Sequence, residues 1–383
     1  LKTPFPVAAS IAQRPGYGGH ANAFLQFLWG LEELGYEPLL IDWLADEMTA
    51  DEGGRSADRK QGAIEWFLDV VGAAGIDSYC LLLDDGETVG LGRVRTKELI
   101  AAAPALLNVM GFLADEDLLG AANARVFIDV DPGFPQLWSE LGFAEPFAGH
   151  DHFVTVGGNV GRPGCSIPTC GRRWTTIRPP VSLARWPLAE EPLGRCFRTI
   201  GSWRGPYGPV EYGGRTLGLR VHEFRRFLDL PARVPAGFEV ALDIDPADSA
   251  DAERLEANGW RLLEPEAVSG SIESYRRFVQ SSFAEIGIAK NIYVATESGW
   301  FSDRSACFLA SGRPVLAQET GFGDDLPVGE GLISFRSLEE AVLGAESFLD
   351  DPRRHSGGAR ALAEEFFDAK TVMSGLLADL GAA

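Results

Sequence analysis

The chain has 383 residues, of which 45% are hydrophobic and 23% charged, a size and balance that fit two soluble domains with separate cores and exclude a disordered polypeptide. Its formal net charge of -21 creates a mean field that repels DNA, RNA and anionic lipid, so nucleic acid is not an expected partner. No apolar run approaches the ~20 residues of a membrane span. The opening Leu1-Lys2-Thr3-Pro4 has no leader-type apolar region, and the expectation is a cytoplasmic protein without an integral membrane segment.

The first half alternates strand and helix signals. Pro6-Val7-Ala8-Ala9-Ser10-Ile11 reads as a short buried strand, followed by the turn Pro15-Gly16-Tyr17-Gly18-Gly19-His20. Phe24, Phe27, Leu28, Leu31 and Leu34 then recur at helical spacing until Gly35 stops the helix. Pro38–Trp43, Tyr79–Leu83, Ala105–Val109, Arg125–Asp129 and Phe153–Val156 are short apolar runs bounded by turns. Strands at such intervals, with helical segments between them, imply a parallel sheet covered on both faces. Between Arg178 and Leu193 the prolines 179, 180, 187 and 192 break regular structure and mark a linker.

The pattern restarts with the strand Cys196–Gly201, a helix over Leu219–Leu228, and strands at Phe238–Leu242, Gly259–Leu263 and within Ile286–Val294. A helical tail runs from Pro352 to Leu380. The expected organisation is a first domain over 1–180, a second over 195–350 and a helical tail over 351–383. Five scattered cysteines argue against a disulfide framework, and Cys165 and Cys170 lack partners at zinc spacing.

The most specific stretch lies near residue 300. A polar turn, Thr296-Glu297-Ser298-Gly299-Trp300-Phe301-Ser302-Asp303-Arg304, feeds a short helix that ends at Gly312, and the strand-like Arg313-Pro314-Val315-Leu316 leads to a second turn, Gln318-Glu319-Thr320-Gly321-Phe322-Gly323. The unpaired N–H groups and positive dipole end of a helix start suit a phosphate. In this order the unit resembles the sugar-nucleotide site of GT-B glycosyltransferases. Gly19-His20, the apolar helix after it and Leu34-Gly35-Tyr36-Glu37-Pro38 resemble the opening of the acceptor domain in that group.

The resemblance implies an α/β protein of two Rossmann-like doubly wound domains facing a cleft, with the acceptor bound by 1–180, the nucleotide-sugar by 195–350 and the tail over 351–383 packing back toward the first domain. It implies a hexosyltransferase-type enzyme that moves a sugar from a nucleoside-diphosphate sugar to a hydroxyl of a small-molecule acceptor, with no metal or separate cofactor. In inverting members a histidine at the position of His20 is the general base and an aspartate orients it, a role for which Asp129 and Asp131 are the candidates. The plain alternative is that His20 caps a helix and Asp131-Pro132-Gly133 is a turn. Asp129-Val130-Asp131 also resembles the metal-binding DxD of the GT-A fold, but it falls in the acceptor half.

Donor contacts are expected from Gly18 and Gly19, from Gly201, Ser202, Trp203 and Arg204 after a strand, from Lys290, from Ser298, Gly299, Trp300, Ser302, Asp303 and Arg304, and from Thr320 and Gly321. Trp203 and Trp300 read equally as packing residues or stacking platforms. Two departures bear on the donor. Cys307 stands where many GT-B enzymes have a ribose-binding glutamate, and Gly299 occupies the first position of the retaining group's glutamate pair. Stereochemistry therefore stays open, as do a sugar-nucleotide 2-epimerase of the same fold and a noncatalytic, degenerate GT-B protein.

Overall fold

The computed structural model describes residues 2–46, 56–190, 194–205 and 207–382; Leu1 and Pro192, the latter within the expected linker, lie outside them. Eight strands form one sheet: β1 (Pro4–Ala8), β2 (Glu37–Leu44), β3 (Ser78–Leu83), β4 (Thr88–Gly90), β5 (Leu106–Val109), β6 (Arg125–Asp129), β7 (His152–Thr155) and β8 (Trp174–Thr176). Their order is β4-β3-β2-β1-β5-β6-β7-β8, all parallel except the edge strand β4. The near-continuous burial of β1, β2, β5 and β6 is what a sheet covered on both faces requires.

The first helix, α1 (Gly18–Glu33), ends as its sequence dictates. Gly35 takes the left-handed φ of 92°, its N–H donates to the Glu32 carbonyl, and the Tyr36 N–H reaches the Leu31 carbonyl. The loop between β1 and α1 is fixed from the neighbouring strand. One carboxylate oxygen of Asp42 accepts the N–H groups of Ile11 at 2.6 Å and Ala12 at 2.9 Å, and the other accepts the N–H of Trp43 at 2.7 Å.

Six further strands make the second sheet: β9 (Cys196–Ser202), β12 (Gly237–Asp243), β13 (Arg261–Leu262), β14 (Ala284–Gly287), β15 (Val315–Gln318) and β16 (Leu332–Phe335), in the order β13-β12-β9-β14-β15-β16 and all parallel. Between β9 and β12 a hairpin of β10 (Val210–Tyr212) and β11 (Arg215–Leu217) forms a sheet of its own. It packs across the cleft, where Val210 and Leu217 share an apolar cluster with Phe134 and Leu137 from the first half and Ile292 and Tyr293 from the second. The single helix expected over Leu219–Leu228 is instead a helical turn, Val221–Phe224, continued by the 3-10 turn Arg225–Phe227.

The tail is three pieces rather than one helix: Pro352–Leu362, a π turn over Ala363–Phe367, and Ala369–Asp379. Met373, Leu376 and Leu377 of the last piece belong to the same core as Phe5, Val7, Leu25 and Leu28. The described part of the linker runs between these elements, with the Val181 N–H donating to the Phe367 carbonyl and the Ser182 N–H donating to Oε1 of Gln26 on α1. Among the described residues no helix is long and apolar enough to cross a membrane.

Burial raises the Asp42 carboxyl from 3.8 to about 7 against the lowering effect of its three N–H donors. Asp42→Asn replaces one acceptor oxygen by an NH2 facing backbone donors, and unfolding measurements should show a loss of about 1–3 kcal/mol at neutral pH. The native state holds the Asp42 proton more tightly than the unfolded state does. This carboxyl's contribution is therefore fully present below pH 3.8 and declines as pH rises toward about 7, so wild-type stability should fall relative to the variant across that window.

Candidate active site

The carboxyl ends of the two sheets face each other, and a small pocket lies beyond the ends of β14 and β15, where ligands sit in doubly wound sheets. Its walls include Ile288, Ala289, Trp300, Ser302, Arg304 and Gln318. Ser302 is the N-cap of the helix Asp303–Ala310 and its Oγ accepts the Arg304 N–H at 3.2 Å, so the positive end of that helix points to the pocket. Burial raises the carboxyl of Asp303, the first helical residue. Trp300 stacks on Tyr293 with ring centroids 4.2 Å apart.

Most cations expected to meet a diphosphate already have a carboxylate. Nε of Arg204 donates to Asp248 at 2.5 Å, and its second nitrogen makes a parallel bond to the same group. Arg304 donates from Nε to Glu285 at 2.5 Å and from Nη1 to the Ile200 carbonyl at 2.8 Å, so it ties β9 to β14. Lys290 Nζ bonds Asp131 of the opposite half at 2.7 Å, with only 8% and 15% of the two side chains exposed. The ammonium lies over the rings of Phe134, Tyr207 and Tyr293. Trp203 is no platform: it is buried in the core of the second half, and its indole N–H donates to Asp251 at 3.2 Å.

The cation that the sequence reading passed over is Arg220. It is 8% exposed, its Nε has no hydrogen-bond partner, and its Nη1 reaches only the Ser202 carbonyl, at 3.3 Å. Burial, and then the neighbouring Arg304, lower its pKa to about 10. No carboxylate forms an ion pair with it among the described residues. Gly201 admits it, since a Cβ there would lie 2.0 Å from Nη1. A buried guanidinium with so few partners, next to Ser202 at the end of β9, is chemically suited to an anion.

The first half supplies His20, Asp129 and Asp131, but the structure does not bring them together as base and orienter. Nε2 of His20 bonds the Ser10 carbonyl at 2.7 Å, which requires the proton on that nitrogen and leaves Nδ1 to accept. Burial, aided by the charge of Arg14, pulls the His20 pKa down to about 4. Asp129 is fully buried and accepts from Gln136 at 2.7 Å and Thr155 at 2.8 Å, and burial pushes it up to about 7. Asp131 is held by Lys290 and by the Tyr293 hydroxyl. The orienting role expected of either aspartate is therefore taken up by other partners.

Gly18 and Gly19 meet protein rather than phosphate. A Cβ on Gly18 would sit 2.1 Å from the Ser271 carbonyl oxygen and one on Gly19 would sit 3.0 Å from the Tyr275 ring, while the Gly19 N–H donates to Ser269 Oγ at 3.1 Å. One turn on, Asn22 Nδ2 lies 3.5 Å from Cys307 Sγ, so α1 covers the helix face where a ribose-binding glutamate was expected. The second turn is likewise filled from within. Oε1 of Glu319 accepts the N–H groups of Thr320, Gly321 and Gly323 at 3.1, 2.7 and 3.2 Å. Ser298 Oγ, for its part, accepts the Trp300 N–H.

No protein-family model matches the sequence, and no curated protein matches it. Solved structures do. An alpha-glucosyltransferase in complex with UDP-glucose and DNA containing an abasic site aligns over 100% of both chains with TM-score 0.60 and 12% identity. HepE from Anabaena, in complex with UDP-glucose, covers 99% of this chain and 100% of its own with TM-score 0.58 and 10% identity. Sucrose-phosphate synthase from Thermosynechococcus elongatus covers 100% of both with TM-score 0.53 and 10% identity. All are GT-B glycosyltransferases, and at such identities the likeness defines the architecture: this chain has the GT-B fold of two Rossmann-like domains.

The seam at Gly18 gives a test with opposed signs. Helix propensity alone makes Gly18→Ala stabilising by up to ~1 kcal/mol. Collision with Ser271 makes it destabilising by about 1–3 kcal/mol, and the expected result is a lowered melting temperature together with a wider separation of the halves in small-angle scattering.

Proposed function

We propose that the protein is a glycosyltransferase of hexosyltransferase type. It takes a nucleoside-diphosphate sugar as donor and a hydroxyl of a small molecule as acceptor, with no metal or separate cofactor. The observation that carries this reading is the buried Arg220, which bonds the Ser202 carbonyl at the end of β9, has no ion pair among the described residues, and lies within electrostatic reach of Arg304 in the first turn of Asp303–Ala310. In the transfer, the acceptor oxygen bonds to the sugar's anomeric carbon as the bond to the diphosphate breaks. Negative charge then grows on the leaving phosphate, where a guanidinium and a helix dipole stabilise it most. Lys290 would join them on leaving Asp131.

His20 remains the proposed acceptor of the hydroxyl proton, through Nδ1. Its low pKa keeps the ring neutral at pH 7 but makes it a weaker base than an ordinary histidine. A small acceptor is favoured over DNA by the net charge of -21, because phosphate-backbone binding needs a cationic track. Retention of configuration in the product would remove His20 from this role, and interconversion of the donor at C2 without transfer would make the enzyme an epimerase.

Calorimetric titration with UDP, dTDP and GDP in EDTA should give binding of at least one nucleotide, weakened about tenfold to a hundredfold in Arg220→Ala. Equal affinity in wild type and variant, or binding only after a divalent cation is added, overturns the site. In a transfer assay with the nucleotide-sugar that binds, His20→Ala should lower kcat by ~100-fold or more without changing nucleotide affinity. Because His20 titrates at about 4, its acid limb in kcat should fall near that value rather than near 6.5.

A further inference from the structure

Resting on the donor-site reading above, we propose that Asn159 is a positioning residue that completes the donor pocket only when the two halves are docked. It lies just beyond β7 of the first half and is 7% exposed. Its backbone N–H donates to the Ser298 carbonyl at 3.0 Å, and its Nδ2 donates to the carbonyls of Glu297 at 3.2 Å and Gly321 at 3.1 Å. One acceptor precedes the helix Asp303–Ala310 and the other follows β15, so a single amide grips both turns that flank the helix start. The turns are also tied to each other, through the Gly299 N–H to the Thr320 carbonyl at 2.7 Å and Thr320 Oγ1 to the Trp300 carbonyl at 2.6 Å.

Both turns are shaped around this side chain. A Cβ on Gly299 would lie 2.7 Å from the Asn159 backbone nitrogen, and one on Gly321 would lie 2.5 Å from Nδ2. The close approach that a sequence assigns to phosphate is thus made to an asparagine. Glu297 holds φ of 51°, a left-handed conformation unfavourable for a non-glycine residue, and Asn159 bonds its carbonyl. Trp300 and Ser302 follow directly and form the pocket wall and the helix cap. Releasing the grip therefore disorders the wall that faces the reacting sugar while leaving Arg220 in place.

The chemistry of the grip gives an order of effects that packing alone does not. Both acceptors are carbonyl oxygens, so only an NH2 group satisfies them, and an aspartate of the same shape sets a carboxylate oxygen against both. Asn159→Asp should be worse than Asn159→Ala. In transfer with the nucleotide-sugar that binds, kcat should fall about tenfold in Asn159→Ala and ~100-fold in Asn159→Asp, with nucleotide Kd within about threefold of wild type in both. Hydrogen exchange should speed up at the amides of 298–302 and 320–323 and stay unchanged in β1 and β2.

A better-preserved kcat in Asn159→Asp than in Asn159→Ala would assign Asn159 to packing, and parallel loss of nucleotide affinity and kcat would assign it to binding; either overturns the proposal, as does unaltered exchange in the two turns. Failure of the wild-type protein to bind UDP, dTDP or GDP would instead overturn the donor-site reading, and the exchange measurement, which needs no ligand, would still decide the grip.

Discussion

Backbone meeting backbone across the cleft is the constraint on which this architecture depends. Main chain meets main chain at Gly18 against Ser271 and at Gly299 against Asn159, and Gly321 meets the Asn159 side-chain amide. Hydrogen bonds between main chains cross the same line, from Asn159 to Ser298 and from Ser166 to Thr296. The apolar cluster of Phe134, Leu137, Val210, Leu217, Ile292 and Tyr293 adds burial across the cleft, while these hydrogen bonds make the geometry sharp, because a hydrogen bond weakens steeply with a few tenths of an ångström or tens of degrees. The halves are held in one register, and the pocket at the ends of β14 and β15 inherits it.

The same region shows how a chain of net charge -21 manages a basic pocket. Arg204, Lys290 and Arg304 each neutralise a carboxylate, and Glu319 fills the N–H cradle of the second turn. Unpaired buried cations are costly, so the pairing of the buried Lys290 and Arg304 is the favoured state of a ligand-free cleft, whereas Arg204 is half exposed. Arg220 breaks the rule. Beside three satisfied neighbours its lone guanidinium is the group with most to gain from an incoming anion, and the Asp131 carboxylate that Lys290 holds comes from the opposite half.

The parallel sheets were legible because strands buried on both faces must be written as apolar runs, and the Schellman turn at Gly35 because only glycine takes its φ without strain. The hairpin β10–β11 has a signal, Gly213-Gly214 between short runs, that is submerged among the glycines and prolines around it. Arg220 was not legible: in Leu219-Arg220-Val221-His222-Glu223-Phe224 it reads as the solvated face of an amphipathic helix that does not form. Gly18, Gly299 and Gly321 were expected to contact the donor, whereas in the structure protein atoms of Ser271 and Asn159 lie against them. The partners, Ser271 and Asn159, lie more than a hundred residues away, and only tertiary structure pairs them.

The helix Ala369–Asp379 covers α1 on the first sheet, so the outer wall of the first core is built from a segment that follows the whole second sheet in the chain. During translation, Leu25, Leu28 and their neighbours on α1 emerge some three hundred residues before Met373, Leu376 and Leu377 arrive to shield them. The second half, whose sheet closes on its own contiguous segment, has no such wait. On the ribosome the second sheet can thus be complete before the first core receives its outer wall.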